Sequence, residues 1–177
     1  MNDSKISVRY ARALFQSALE KNIQDQVRKD MEEVQATCLL PDFQYLLLTP
    51  VIKDSEKREI MNNLFGKRVH ALTLSLLTLL IRNGREQFVP GIARNFIAQY
   101  KKHHKIKTAI FTSASSVPEA TRMRVKKVIE ETLNSPVELE GIDNAALIGG
   151  FVIRIDDLQY DASVASSLNK LKKQLLN

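Results

Sequence analysis

The sequence predicts a mostly α protein, an N-terminal six-helix bundle followed by a small C-terminal α+β domain. Over the first hundred residues apolar side chains recur at steps of three and four, the period of helices packed on one face. Beyond Lys105 the period shortens to the alternation of strands. Composition agrees: 44% of the 177 residues are hydrophobic but only 6% aromatic, with no Trp. The apolar mass is therefore aliphatic, which suits helices packed through Leu, Ile, Val and Ala stripes.

The first helix carries Val8, Ala11, Phe15, Ala18, Leu19 and Asn22, with Ser4 or Ser7 able to cap its start. A second run, Val27, Met31, Val34 and Cys38, stops before Pro41. Residues 43–48 form a short apolar helix ended by Thr49-Pro50. Asp54 or Ser55 opens the fourth helix, with Ile60, Met61, Leu64 and Phe65 on one side and Gly66 as a left-handed C-cap. A Leu-rich fifth helix covers residues 72–81 and stops at Asn83-Gly84. The sixth carries Phe88, Ile92, Phe96 and Tyr100 at steps of four.

The polar run Lys101-Lys102-His103-His104-Lys105 marks the boundary between a domain over 1–105 and one over 106–177. After it, residues 108–112 and 137–140 read as strands and residues 151–155 as the clearest strand. Ser116-Val117-Pro118-Glu119 offers a capping box to a helix that faces inward with Val125, Val128, Ile129 and Leu133. Asp161 or Ser163 caps a last helix spaced by Val164, Leu168, Leu171 and Leu175. A small sheet with two helices on it follows.

The net charge of +6 is compatible with nucleic acid, an anionic membrane or an acidic partner, and equally with plain solubility. One cysteine, Cys38, makes no internal disulfide, and the longest apolar stretch is far short of the roughly 20 residues of a membrane span. The N-terminus reads as neither signal peptide nor organelle presequence. His103 and His104 diverge on a helix, His70 stands alone, and no HxxxH or CxxC spacing exists, so no zinc site is expected. Gly66-Lys67 fails as a phosphate loop because Met61 and Arg68 occupy its other key positions. Gly149-Gly150 enters a strand, where it allows close backbone approach. Asp156, Asp157 and Asp161 read as a turn and a cap before they read as a metal cluster. No catalytic residue, cofactor or metal is expected. The basic runs keep a second reading open, an RNA-binding or ribosome-associated protein, although exposed aromatics and a GxxG clamp are lacking.

Two helices have more apolar or small surface than one core needs. On the first, Tyr10, Ala13 and Ser17 form a stripe beside the core-facing one, with Arg9, Arg12, Gln16 and Glu20 on the far side. On the fifth, leucines cover more than half the circumference and leave a narrow strip of Ala71, Ser75, Thr78 and Arg82. Side by side, these strips would form a groove for an amphipathic helix.

Ser7-Val8-Arg9-Tyr10-Ala11-Arg12-Ala13-Leu14-Phe15 resembles the opening helix of the delta subunit of rotary F-type ATP synthases, whose mitochondrial counterpart is the oligomycin-sensitivity-conferring protein. Thr49-Pro50-Val51-Ile52, Ile81-Arg82-Asn83-Gly84-Arg85, Leu147-Ile148-Gly149-Gly150-Phe151-Val152-Ile153-Arg154-Ile155 and Tyr160-Asp161-Ala162-Ser163-Val164 follow in the family's order, over essentially the whole chain. The resemblance implies a non-catalytic stator subunit that ties the F1 head to the peripheral stalk, so that rotation is coupled to proton-driven ATP synthesis. It implies that an alpha subunit's N-terminal helix is gripped at Tyr10, Ala13, Leu14, Ser17, Ala71, Ser75, Leu79 and Arg82. It further implies that the C-terminal domain meets the C-terminal region of the stalk b subunits. Gly84, Gly149, Gly150, Asp161 and Ser163 are fold-making positions in that reading. No nucleic acid would be bound, and the protein would sit on the cytoplasmic face of a bacterial inner membrane, held there only through the complex.

Overall fold

The computed structural model describes residues 5–114, 117–155 and 158–168. The chain divides into two compact units, Met1–His103 and His104–Asn177. The fold is mostly α, with a small α+β unit after the helices.

The first unit contains α1 (Lys5–Glu20), α2 (Gln24–Thr37), α3 (Pro41–Leu48), α4 (Asp54–Phe65), α5 (Ala71–Arg82) and α6 (Val89–His103), with a 3-10 turn at Glu86–Phe88 leading into α6. Helix α6 packs along α1 and α2, and α4 packs along α5. Phe15 meets Phe96 edge to face at 5.6 Å, and Phe43 meets Phe65 at 5.9 Å. Buried side chains of this kind each contribute about 1.5–3 kcal/mol by leaving water. Where α1 crosses α6, a Cβ at Gly91 would lie 2.7 Å from Ser7 Oγ, so any side chain there would have to push Ser7 aside.

Several expected ends move. Ser7 is not a cap but a buried residue inside α1, and Ser4 lies outside the described residues. Asn22 is not helical: at φ 54° it takes the left-handed turn that leads into α2. Asp54 and Ser55 sit in the first turn of α4 behind Lys53 at the N-cap, and Gly66 is right-handed, at φ −57°. Ile60 and Leu64 are partly exposed, and Lys57 occupies the buried face with Met61 and Phe65. Lys57 is tolerated there because Glu86 Oε1 lies 2.6 Å from its Nζ, a pairing between distant segments that periodicity does not reveal. Phe88 falls in the 3-10 turn ahead of α6.

The second unit contains β1 (Lys107–Ser113), α7 (Glu119–Leu133), β2 (Val137–Asp143), β3 (Phe151–Ile155) and β4 (Leu158–Asp161), in the sheet order β2-β1-β3-β4. Strands β1 and β2 are parallel, joined through α7, and β3 runs antiparallel to β1 with Phe111 opposite Ile153. Ile129 of α7 packs with Ala109 and Val137, supported by Val125 and Leu133, whereas Val128 points to solvent. Ser116 lies outside the described residues, and the α7 N-cap position is Pro118. Strand β4 has no signal in the sequence, where Tyr160 and Asp161 read as the approach to a helix cap.

The cap itself is present. Asp161 Oδ1 accepts the Ser163 N–H at 2.9 Å, and Ser163 Oγ accepts the Ser166 N–H at 3.2 Å, opening a helix at residues 164–168. Val164 and Leu168 are partly exposed instead of facing inward, and Leu171 and Leu175 lie outside the described residues. Gly150, at φ 79°, lies so close to this turn that a Cβ would fall 2.3 Å from the Ala162 carbonyl oxygen. Just before it, Ile148 sits at φ 62°, ψ −39°, and the Gly149 N–H donates to the Leu147 carbonyl at 2.6 Å. That is a strained γ-turn, unusual for a β-branched residue.

Candidate partner-binding face of the N-terminal unit

Helix α5 is fastened at both ends. At its start His70 Nδ1 accepts the Leu72 N–H at 3.1 Å. Asp30 of α2, only 2% exposed, accepts the His70 N–H at 2.8 Å, the Thr73 hydroxyl at 2.7 Å and a Gln26 N–H at 3.2 Å. A buried carboxylate thus faces the positive end of the helix dipole and satisfies two buried donors. At the other end Gly84, at φ 61°, closes a Schellman motif: its N–H reaches the Ile81 carbonyl at 3.0 Å and the Arg85 N–H reaches Leu80 at 2.8 Å.

That turn delivers Arg85 to α1. Its Nη1 donates to Tyr10 Oη at 2.8 Å, Asn83 Nδ2 reaches the same oxygen at 3.4 Å, and the guanidinium stands 5.7 Å from the ring centroid. Burial alone would raise the Tyr10 phenol's pKa. The hydrogen bonds from Arg85 and Asn83 and the charges of Arg85 and Arg9 outweigh it and bring the phenol below its ordinary value. Helices α1 and α5 are packed neighbours.

Helix α5 turns Thr73, Leu76, Leu77, Leu80 and Ile81 into the bundle. Its opposite side exposes Ala71, Ser75, Thr78, Leu79 and Arg82, with Leu79 at 44%. Leu79 therefore belongs to the outer strip. Ser75 Oγ donates to the Ala71 carbonyl at 2.7 Å and Thr78 Oγ1 to Leu74 at 2.9 Å. Both hydroxyl donors are used within the helix, so the strip presents mainly methyl and methylene groups. On α1, Tyr10 and Ser17 are half-buried and Ala13 is exposed, while Leu14 is 4% exposed and belongs to the core. Leu14 thus supports this face from beneath and is not on it.

The residues weighed for chemistry do not converge. His70 is a helix cap, and His103 sets its ring edge to face with Phe15 at 5.5 Å. Among the described residues no three His, Cys, Asp or Glu side chains are placed to hold a metal, and Asp156 and Asp157 lie outside them. Cys38 is buried, and burial pushes its thiol up to about 12. Among the described residues no helix is long and apolar enough to cross a membrane. What remains is an exposed strip of α5 beside α1, its Ser75 and Thr78 hydroxyls bonded within the helix, suited to binding a helix.

Comparison with known proteins bears on what that helix belongs to. A family model described as ATP synthase delta (OSCP) subunit matches residues 6–175. An ATP synthase subunit delta from Christiangramia forsetii is 31% identical over 176 residues, covering 99% of this chain and 95% of that protein. One from Cytophaga hutchinsonii is 31% identical over 176 residues, covering 98% and 96%. A chain in the cryo-EM structure of the Toxoplasma gondii mitochondrial ATP synthase hexamer shares the fold, with a TM-score of 0.74 over 98% of this chain and 99% of that one, at 23% identity.

Proposed function

The chain belongs to the ATP synthase delta (OSCP) subunit family, a non-catalytic subunit type, and from that premise we propose that it is the stator joint of an F-type ATP synthase. The N-terminal unit grips the N-terminal helix of an alpha subunit of the F1 head, and the C-terminal unit meets the C-terminal region of the stalk b subunits. Tying head to stalk keeps the head from turning with the rotor, which is what couples rotation to proton-driven synthesis. The protein then sits at the cytoplasmic face of a bacterial inner membrane, attached through its partners.

The observation that carries this reading is the outer strip of α5, Ala71, Ser75, Leu79 and Arg82, held beside the Tyr10, Ala13 and Ser17 stripe of α1 by the bond from Arg85 to Tyr10. An apolar helix face laid over Ala71, Ser75 and Leu79 gives up water without stranding the Ser75 hydroxyl, which is already bonded to Ala71, while Arg82 can stay in water at the end of the strip, as a helix-in-groove interface allows. The RNA-binding alternative is not favoured, because a delta-subunit family model spans nearly the whole chain.

Calorimetric titration of the alpha subunit's N-terminal peptide, from the same organism, into the intact chain tests the proposal. One-to-one binding is expected, weakened at least tenfold by Leu79→Asp, which forces a charge into the desolvated strip. Circular dichroism of that variant should match the parent, since Leu79 is outside the core. A folded protein that fails to bind the peptide would overturn the assignment of this face.

A further inference from the structure

Helix α1 has a second surface on its α6 side, apart from the strip it shares with α5. Phe15 and Leu19 stand about 140–180° around the helix from Tyr10 and Ser17, at 100° per residue. Between α1 and α6 lies a depression of about 520 Å³, with Phe15, 8% exposed, and half-buried Leu19 as its floor. Exposed Arg12 of α1 and Lys102 and His103 of α6 surround that floor. The depression runs on into another lined by Lys5, Val8 and Arg9, because Arg12 and Gln16 line both. Together they make one trough along α1 from Lys5 to Leu19, about 21 Å long at the helical rise.

The charge of this trough has one sign. No described carboxylate lines either depression. Among the described residues Lys5, Arg9, Arg12 and Lys102 form no ion pair, whereas Lys57, Arg28 and Arg68 of the same unit each have a carboxylate within 4.0 Å. Lys5 stands in the first turn of α1, where positive charge opposes the helix dipole and no acidic residue offsets it, so it does not serve the helix's own stability.

We infer that this trough is a second docking surface, separate from the α5 strip, and that it receives an acidic amphipathic helix of a partner protein. The apolar ridge of such a helix would cover Val8, Phe15 and Leu19, and its flanking carboxylates would meet Arg12 on one side and Lys102 on the other. Opposite charges at the edge of a floor that has lost its water attract more strongly than in open solution. A flat anionic bilayer would reach the cations but not the recessed Phe15, and the trough offers bases no exposed Phe, Tyr or Trp ring to stack on.

The test uses the intact chain and two synthetic helical peptides with the same leucine seam, one flanked by Glu and the other by Gln. At about 0.05 M salt the Glu peptide should bind about tenfold more tightly, and about 0.5 M salt should remove most of the difference. The double variant Arg12→Gln, Lys102→Gln, whose altered side chains are exposed, should lose the preference. Leu79→Asp, on the α5 strip, should keep it, so this inference and the reading of that strip fail separately. In the assembled synthase, a photo-crosslinker on Gln16→Cys should capture an acidic helical segment of a neighbouring subunit. Equal binding of the two peptides, or a preference that survives the double variant, would overturn the inference. So would a preference lost in Leu79→Asp, which would move the acidic helix to the α5 strip, or crosslinks confined to lipid, which would reassign the trough to a membrane surface.

Discussion

Replacing Asp30 by Ala should be among the costliest single changes in the N-terminal unit. Its carboxylate accepts the His70 N–H at 2.8 Å and the fully buried Thr73 hydroxyl at 2.7 Å, and it faces the start of α5. Each hydrogen bond to a charged group contributes about 1.5–3 kcal/mol, and a carboxylate at a helix N-terminus about 0.3–1 kcal/mol more. Against that stands the relief of no longer holding a carboxylate out of water, which recovers part of the sum. A net loss of about 3 kcal/mol follows, roughly 10–20 °C in melting temperature for a unit of this size. Thermal melts of the intact chain followed by far-UV circular dichroism would measure it, because the helices of the first unit dominate that signal. Asp30→Asn should fall between parent and Ala, since an amide oxygen in the place of Oδ2 still accepts both bonds but brings no charge to the start of α5. In the cycle with Thr73→Val, the second substitution should cost less once Asp30 is absent. A loss below about 1 kcal/mol for Asp30→Ala would show that the start of α5 is held by packing alone.

Gly84→Ala should cost about 1 kcal/mol even though a Cβ there meets nothing within 4 Å, because φ 61° strains any side chain. The same variant should weaken peptide binding if Arg85 loses its place on Tyr10, which calorimetry would read. Ile148→Gly should stabilise the C-terminal unit by about 1 kcal/mol in denaturant titration, by relieving a γ-turn that isoleucine adopts only under constraint. Cys38, with its thiol pushed up to about 12 by burial, should resist alkylation at neutral pH in the folded chain and react readily once unfolded. Timed mass spectrometry distinguishes the two.

What was legible in the sequence was local. Helix spacing located the six helices of the first unit, and the outer strip of Ala71, Ser75 and Arg82 is indeed exposed, because a 3.6-residue period maps directly onto a face. Gly84, Gly150, Asp161 and Ser163 announce themselves through backbone chemistry that acts within a few residues. What stayed hidden depends on partners far along the chain. Lys57 reads as a solvent residue until Glu86 is brought to it, 29 positions later. Asp30 looks like one more helix-surface acid until α5 arrives 40 residues on. Leu14 matched a contact motif yet lies in the core, since a motif does not say which of its residues face inward. Strand β4 is four residues long with no buried position, so its sequence carries no alternation to find.

The spent hydroxyls of Ser75 and Thr78 have a mechanical consequence. A hydrogen bond is directional and is largely lost when its partners slide by an ångström, whereas contact between methyl-covered surfaces decays gradually with displacement. A joint under fluctuating torque that relied on hydrogen bonds across its floor would fail in steps, each slip exposing an unmatched donor. With those donors closed onto Ala71 and Leu74, a helix seated as proposed would meet a floor that resists sliding smoothly. A seated helix can then shift slightly under load and settle back, and the surface behaves as a bearing pad more than as a latch.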